Sequence, residues 1–153
     1  MRNLFLALLI VFAARPAFAQ STPPVSDELV KRIQQVALSA LPRAICEDRK
    51  PCAPATEEEK KNPPLTVEET RRVMSRAVFS AFGQHCNADW QRRNFLPMMR
   101  YWRDTVKKNE RQMALIALIH GIMQEQAAKA FAAKEPCSDE LKKRIEAQLD
   151  FKL

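Results

Sequence analysis

Apolar positions along this chain recur at helical spacing in blocks separated by proline, and the blocks predict its elements. Leu29, Ile33, Val36, Ala37, Ala40 and Leu41 form the first stripe. Ser26 suits the N-cap of that helix, with Asp27 and Glu28 well placed in its first turn. Pro42 ends the run, so the helix is expected over about 27–41. Thr66-Val67-Glu68-Glu69 then reads as a capping box. Val67, Thr70, Met74, Ala77, Val78, Ala81 and Phe82 share a face behind it, with Arg71, Arg72, Ser75 and Arg76 off that face and the helix running to about Gln84.

The next helical stretch starts near Ala88 and carries Pro97 in its middle. Proline costs about 3 kcal/mol in a helix interior. A kink is expected, or a break at which Pro97 opens a new helix. Phe95, Met98, Met99, Trp102 and Val106 share a face there. Asn109, with Gln112 three residues on, caps a helix whose Met113–Met123 stretch is apolar almost all round, the mark of a central buried element. It continues to about Ala133, and Pro136 stops it. Ser138 caps a last helix with Leu141, Ile145 and Leu149 as its stripe. Between the first two helices, residues 42–65 hold five of the ten prolines and read as a long solvated loop that includes Glu57-Glu58-Glu59-Lys60-Lys61. The expected fold is an all-α, up-and-down bundle of four to five helices, kinked or broken near Pro97. Only two glycines are present, which argues against hairpins and glycine-rich phosphate loops.

The N-terminus changes the setting of this domain. Arg2 precedes an unbroken apolar run, Leu4 to Ala14, and Ala17-Phe18-Ala19 supplies the small residues that signal peptidase reads. Eleven apolar residues fall short of the roughly twenty a membrane span needs. Residues 1–19 are therefore expected to be a cleaved secretory signal, 20–25 a mobile lead and 26–153 one helical domain, periplasmic or secreted. Export places Cys46, Cys52, Cys86 and Cys137 in an oxidising compartment. Four cysteines allow three connectivities. Alternating helices put Cys46 and Cys52 at one end of the bundle and Cys86 and Cys137 at the other. The expected pairs are thus Cys46–Cys52 and Cys86–Cys137.

Charge is unevenly spread. Residues 20–70 carry a net charge of −2, residues 71–112 a net +7, and residues 113–153 balance. Within the basic segment, Arg93, Arg100, Arg103 and Lys107 fall on one side of a helical wheel, opposite Phe95, Met98, Met99, Trp102 and Val106. With Trp90 and Tyr101 they form the candidate binding face. Such a face is either the ordinary outside of a surface helix or a site for an anionic envelope component or protein partner. Export argues against nucleic acid.

Histidine and methionine offer the remaining chemistry. His120 lies in Leu115-Ile116-Ala117-Leu118-Ile119-His120-Gly121 and reads first as a hydrogen-bonded core residue, with Gly121 marking close approach of another helix. Its functional alternative is a buried proton-active group. A copper site would draw on Met74, Met98, Met99, Met113 or Met123 with a histidine, although methionine on a helix face usually fills the core. The chain has no G-x-S-x-G, H-E-x-x-H or C-x-x-C-H motif, and no cofactor is expected. The sequence thus points to a non-catalytic binding or stress-protection protein of the cell envelope. A small envelope hydrolase, or a metal-binding protein using His120 or His85 with carboxylates or methionines, is the alternative.

Overall fold

Side-chain caps set where the helices begin. The computed structural model describes residues 25–132 and 136–152, so the expected signal peptide and residues 20–24 of the lead lie outside the described residues. Helix α1, Asp27–Ala40, starts where the Ser26 hydroxyl accepts from the Leu29 amide at 3.3 Å. Helices α2, Glu57–Lys61, and α3, Val67–His85, each open on a complete capping box, Thr56 with Glu59 and Thr66 with Glu69. Helix α4, Leu96–Arg100, lies between two π-helical turns, Gln91–Phe95 and Tyr101–Thr105. Helix α5, Glu110–Ala132, follows a reciprocal pair in which Asn109 Oδ1 accepts from the Gln112 amide and Gln112 Oε1 from the Asn109 amide. Helix α6, Asp139–Leu149, is capped by the Ser138 hydroxyl. The protein is all-helical. Its described residues form six α-helices instead of four or five, and their one β-type contact is an isolated bridge between Ile45 and Pro51.

The longest interface joins α3 to α5, with α1 packed on both and α6 on α3. Val30, Leu38, Val73, Met74, Met98, Trp102, Leu115, Ile116 and Ile119 meet in the core between them. The buried side of α1 differs from the expected stripe. Val30, Ile33, Gln34, Ala37 and Leu38 face inward, while Leu29 and Val36 remain 37% and 44% exposed. The Gln34 amide explains the offset. Its Nε2 donates to the Leu65 carbonyl and to Thr70 Oγ1, both at 2.8 Å. A buried amide with its hydrogen bonds made costs little, and this one sets the rotation of α1 against α3.

Two further expectations are corrected. Residues 42–65 are not a plain solvated loop. They contain two short 3₁₀ turns and α2, and they bury Cys52 and Leu65. Arg111 of α5 holds the segment. It forms a fork with Glu59, Nε–Oε1 2.6 Å and Nη2–Oε2 2.8 Å, and donates to the carbonyls of Ala53 and Pro54. Second, Gly121 marks no close approach. It is exposed, and a Cβ there would meet nothing within 4 Å, so one side of the helix expected to be buried all round stays open. Gly83 is the tight position, where a Cβ would sit 2.8 Å from Trp90 Cβ and 3.1 Å from Leu149 Cδ1.

Pro97 has a structural consequence beyond its own helix. It is the second residue of α4 and has no amide hydrogen to give to the carbonyl of Arg93 four residues earlier. That carbonyl accepts from the amide of Phe151 at 2.9 Å. The missing proline donor thus creates a docking point for the C-terminal residues. Arg93 fastens the same segment with its side chain, donating to both carboxylate oxygens of Asp150 at 2.7 and 3.1 Å and to the Glu146 carbonyl at 2.7 Å. Disulfides join Cys46 to Cys52 and Cys86 to Cys137, the second linking the end of α3 to the residue before the α6 cap.

Candidate functional site

A buried polar network crosses the interface of α3, α5 and the π-helical turn Gln91–Phe95. Ser80 and Asn94 are 0% exposed and His120 is 2% exposed. His120 Nε2 lies 3.0 Å from Ser80 Oγ, a hydrogen bond whose direction follows the tautomer. Asn94 Nδ2 donates to Ser80 Oγ at 2.8 Å and to the Arg76 carbonyl at 2.7 Å. Arg76 Nε donates to Asn94 Oδ1 at 2.5 Å, and its Nη2 to the Leu149 carbonyl at 2.7 Å. Every buried side-chain polar atom among the described residues has a partner. The rings of Phe95 and Trp90 close over His120, with centroids 4.7 and 6.3 Å away.

Serine beside histidine invites comparison with a nucleophile and its base. The arrangement does not serve one here. Ser80 is sealed beneath packed side chains, and the charge acting on His120 is the Arg76 guanidinium, not a carboxylate that would orient an imidazolium. What the site does is hold His120 neutral. Burial, reinforced by Arg76, pushes its pKa from 6.5 down to about 4.

That shift makes stability depend on pH. An unfolded histidine takes up a proton below about 6.5, and the folded one only below about 4. The stabilisation from neutral His120 is therefore complete above pH 6.5 and lost as pH falls toward 4. Linkage sets the expected loss between pH 7 and 5 at about 2 kcal/mol, read by urea unfolding. His120→Gln should flatten the pH dependence over that range, and an unchanged slope would remove His120 as its source. The fork to Arg111 holds Glu59 at about 2, so that carboxylate contributes to acid sensitivity only below its ordinary 4.5.

The structure divides the candidate face of Arg93, Arg100, Arg103, Lys107, Trp90 and Tyr101. Trp90 is half-buried against Gly83 and His120. Arg93 is spent on the C-terminal segment. Tyr101 lies against the rings of Trp102 and Phe151, at 5.4 and 5.7 Å between centroids. Arg103 is exposed and paired with its neighbour Asp104 at 2.9 Å. Arg100 and Lys107 are exposed, and among the described residues neither has a carboxylate within ion-pair distance. Lys107 also holds a left-handed backbone, φ 64°, where the following amide of Lys108 reaches back to the Trp102 carbonyl at 3.0 Å. Glycine normally takes this helix-ending position, and a lysine there costs about 1 kcal/mol.

Among the described residues no group of three His, Cys, Asp or Glu is gathered. Met74 and Met98 are buried in the core, and Met99, Met113 and Met123 pack against it. His85 ends α3, its ring 6.4 Å from that of Phe131.

Sequence reasoning missed Arg76 and Asn94. Spacing put Arg76 on the polar side of its helix, and Asn94 was one polar residue among several. Their only trace is that each sits within one residue of a position on an apolar face. Comparison of the chain with known protein families, with characterised proteins and with solved structures finds no match.

Proposed function

We propose that this chain is an exported, non-catalytic binding protein of the cell envelope that meets an anionic partner through Arg100 and Lys107. The observation that carries this reading is their state. Among the described residues these two cations form no ion pair, and Asp104, which acts on both through space, is already paired with Arg103; they stand on a helical segment whose other side is anchored by Met98 and Trp102 in the core. A lysine kept in a left-handed conformation, at a cost to stability, is understandable if its charge is used. The two disulfides are compatible with an oxidising compartment and support export. Up-and-down helix order with a bend at Pro97 belongs to the same reading, supported by one disulfide closing a local loop and the other spanning 51 residues.

The test uses vesicles of equal parts phosphatidylglycerol and phosphatidylcholine at low salt. Each basic group near such a surface contributes about 1 kcal/mol. Replacing Arg100→Gln together with Lys107→Gly should therefore weaken retention roughly thirtyfold. The melting temperature should hold or rise, because glycine relieves the left-handed strain. Retention that survives the double replacement would overturn the proposal.

A further inference from the structure

We infer that the cleft between α3, the Pro97 helix and the C-terminal residues binds a small amphiphilic anion, a carboxylate carried on an alkyl or aryl body. The cleft has a volume of about 350 Å³. Its polar wall is Arg72, Ser75, Arg76 and Lys152, and its apolar wall is Met98, Trp102 and Phe151. This site is separate from the Arg100 and Lys107 surface and does not rest on it.

The central observation is a charge with no ion pair among the described residues, that of Arg76, whose guanidinium lies 4.8 Å from the Phe79 ring centroid. Arg76 is half-buried, and its two hydrogen bonds go to neutral acceptors, Asn94 Oδ1 and the Leu149 carbonyl. Among the described residues no carboxylate lies within ion-pair distance of it. Asp150 acts on Arg76 through space, but both of its oxygens are held by Arg93. Burial lowers the pKa of Arg76, and a guanidinium keeps its charge in proteins. A guanidinium withdrawn from water calls for an anion, since an unpaired buried charge is costly. Lys152, beside it, also has no carboxylate within ion-pair distance among the described residues. Arg72 touches one acidic group there, Glu68, at 3.3 Å. Three cations and a hydroxyl thus converge on one cleft that, among the described residues, no acidic side chain lines.

The apolar wall decides what kind of anion fits. Met98 and Trp102 are 0% and 3% exposed and form a floor fixed by the core. The Phe151 ring stands over it, held by the hydrogen bond to the carbonyl that Pro97 leaves free and lying 5.6 Å from the Arg76 guanidinium carbon. Inorganic phosphate would satisfy the cations and leave this wall in water. An alkyl or aryl carboxylate satisfies both, with guanidinium matching its two oxygens. Two other depressions lack the combination. In the one beside Gly121 and His85, Lys129 is neutralised by Glu125 at 2.7 Å. The one lined by Ile45, Leu118 and Ile122 contains only apolar side chains and glycine.

Sodium decanoate, below its micelle concentration, is the probe, with decanol and inorganic phosphate as controls in isothermal titration. Decanoate should bind saturably to one site, and both controls at least tenfold more weakly. Lys152→Glu, an exposed change outside the core, should weaken decanoate roughly tenfold, the value of one charge-assisted contact. Arg76→Gln should weaken it further. The Arg100→Gln, Lys107→Gly protein should bind decanoate as the native chain does, which separates this cleft from the surface face. Equal binding of decanol, indifference to Lys152→Glu, or loss of binding in the Arg100, Lys107 variant would each overturn the assignment.

Discussion

Opening the Cys86–Cys137 bridge is expected to lower the melting temperature by about 15 °C, roughly twice the effect of opening Cys46–Cys52. The difference follows from loop length. The bridges span 51 and 6 residues. Loop-closure entropy assigns them about 4 and 2 kcal/mol, because the longer cross-link removes more freedom from the unfolded chain. Both cysteines of a pair should be replaced by serine, so that no lone thiol confuses the result. Location adds to the ranking. The long bridge ties the end of α3 to the start of α6, and α6 carries Leu149, whose carbonyl holds Arg76. The short bridge closes a turn whose exit, at Ala53 and Pro54, Arg111 already holds. Scanning calorimetry of the two double variants checks this, and equal or reversed effects would refute the account.

Asn94→Ala should destabilise the protein by about 2–3 kcal/mol, although it deletes only one small amide. Asn94 is fully buried and uses both ends of its side chain, accepting from Arg76 Nε and donating to Ser80 Oγ and the Arg76 carbonyl. Without it, a half-buried guanidinium loses one of its two acceptors, and the cost is that of leaving charge poorly solvated inside the fold. Gln91→Ala, an exposed change three residues away, should shift stability by less than about 0.5 kcal/mol. Denaturant titration of both proteins makes the comparison. A loss at Asn94 no larger than at Gln91 would mean that the network does not bear on the fold.

The beginnings of the helices were legible because capping is local. Ser26, Thr66, Asn109 and Ser138 each sit next to the amides they satisfy, and each heads a helix. Helix α2 was equally legible and passed over. Thr56-Glu57-Glu58-Glu59 carries the same signature as Thr66-Val67-Glu68-Glu69, yet the prolines around it suggested a loop. Its reason to persist lies elsewhere in the chain, in the Arg111 fork to Glu59.

Side-chain destinations were far less legible. Periodicity counts a glutamine as outward, so it leaves Gln34 out of the buried face of α1 and places Leu29 and Val36 in it. Helical angle groups Arg93 with Arg100, Arg103 and Lys107, and Trp90 joins the same candidate face, yet Arg93 turns to the C-terminal segment and Trp90 to the core. A helical wheel gives direction around one axis. It does not say which neighbour fills that direction.

The sequence by itself determined that this protein is helical, where most of its helices start, and that Pro97 would deny a hydrogen bond to the carbonyl of Arg93. Those outcomes depend on groups within about four residues of one another. Only the tertiary structure decided that Phe151 takes that carbonyl, that Gln34 faces inward, and that Arg76 is half-buried beside an apolar cleft. A buried polar group is stable only when a partner distant in sequence reaches it, and no local pattern records which partner that is.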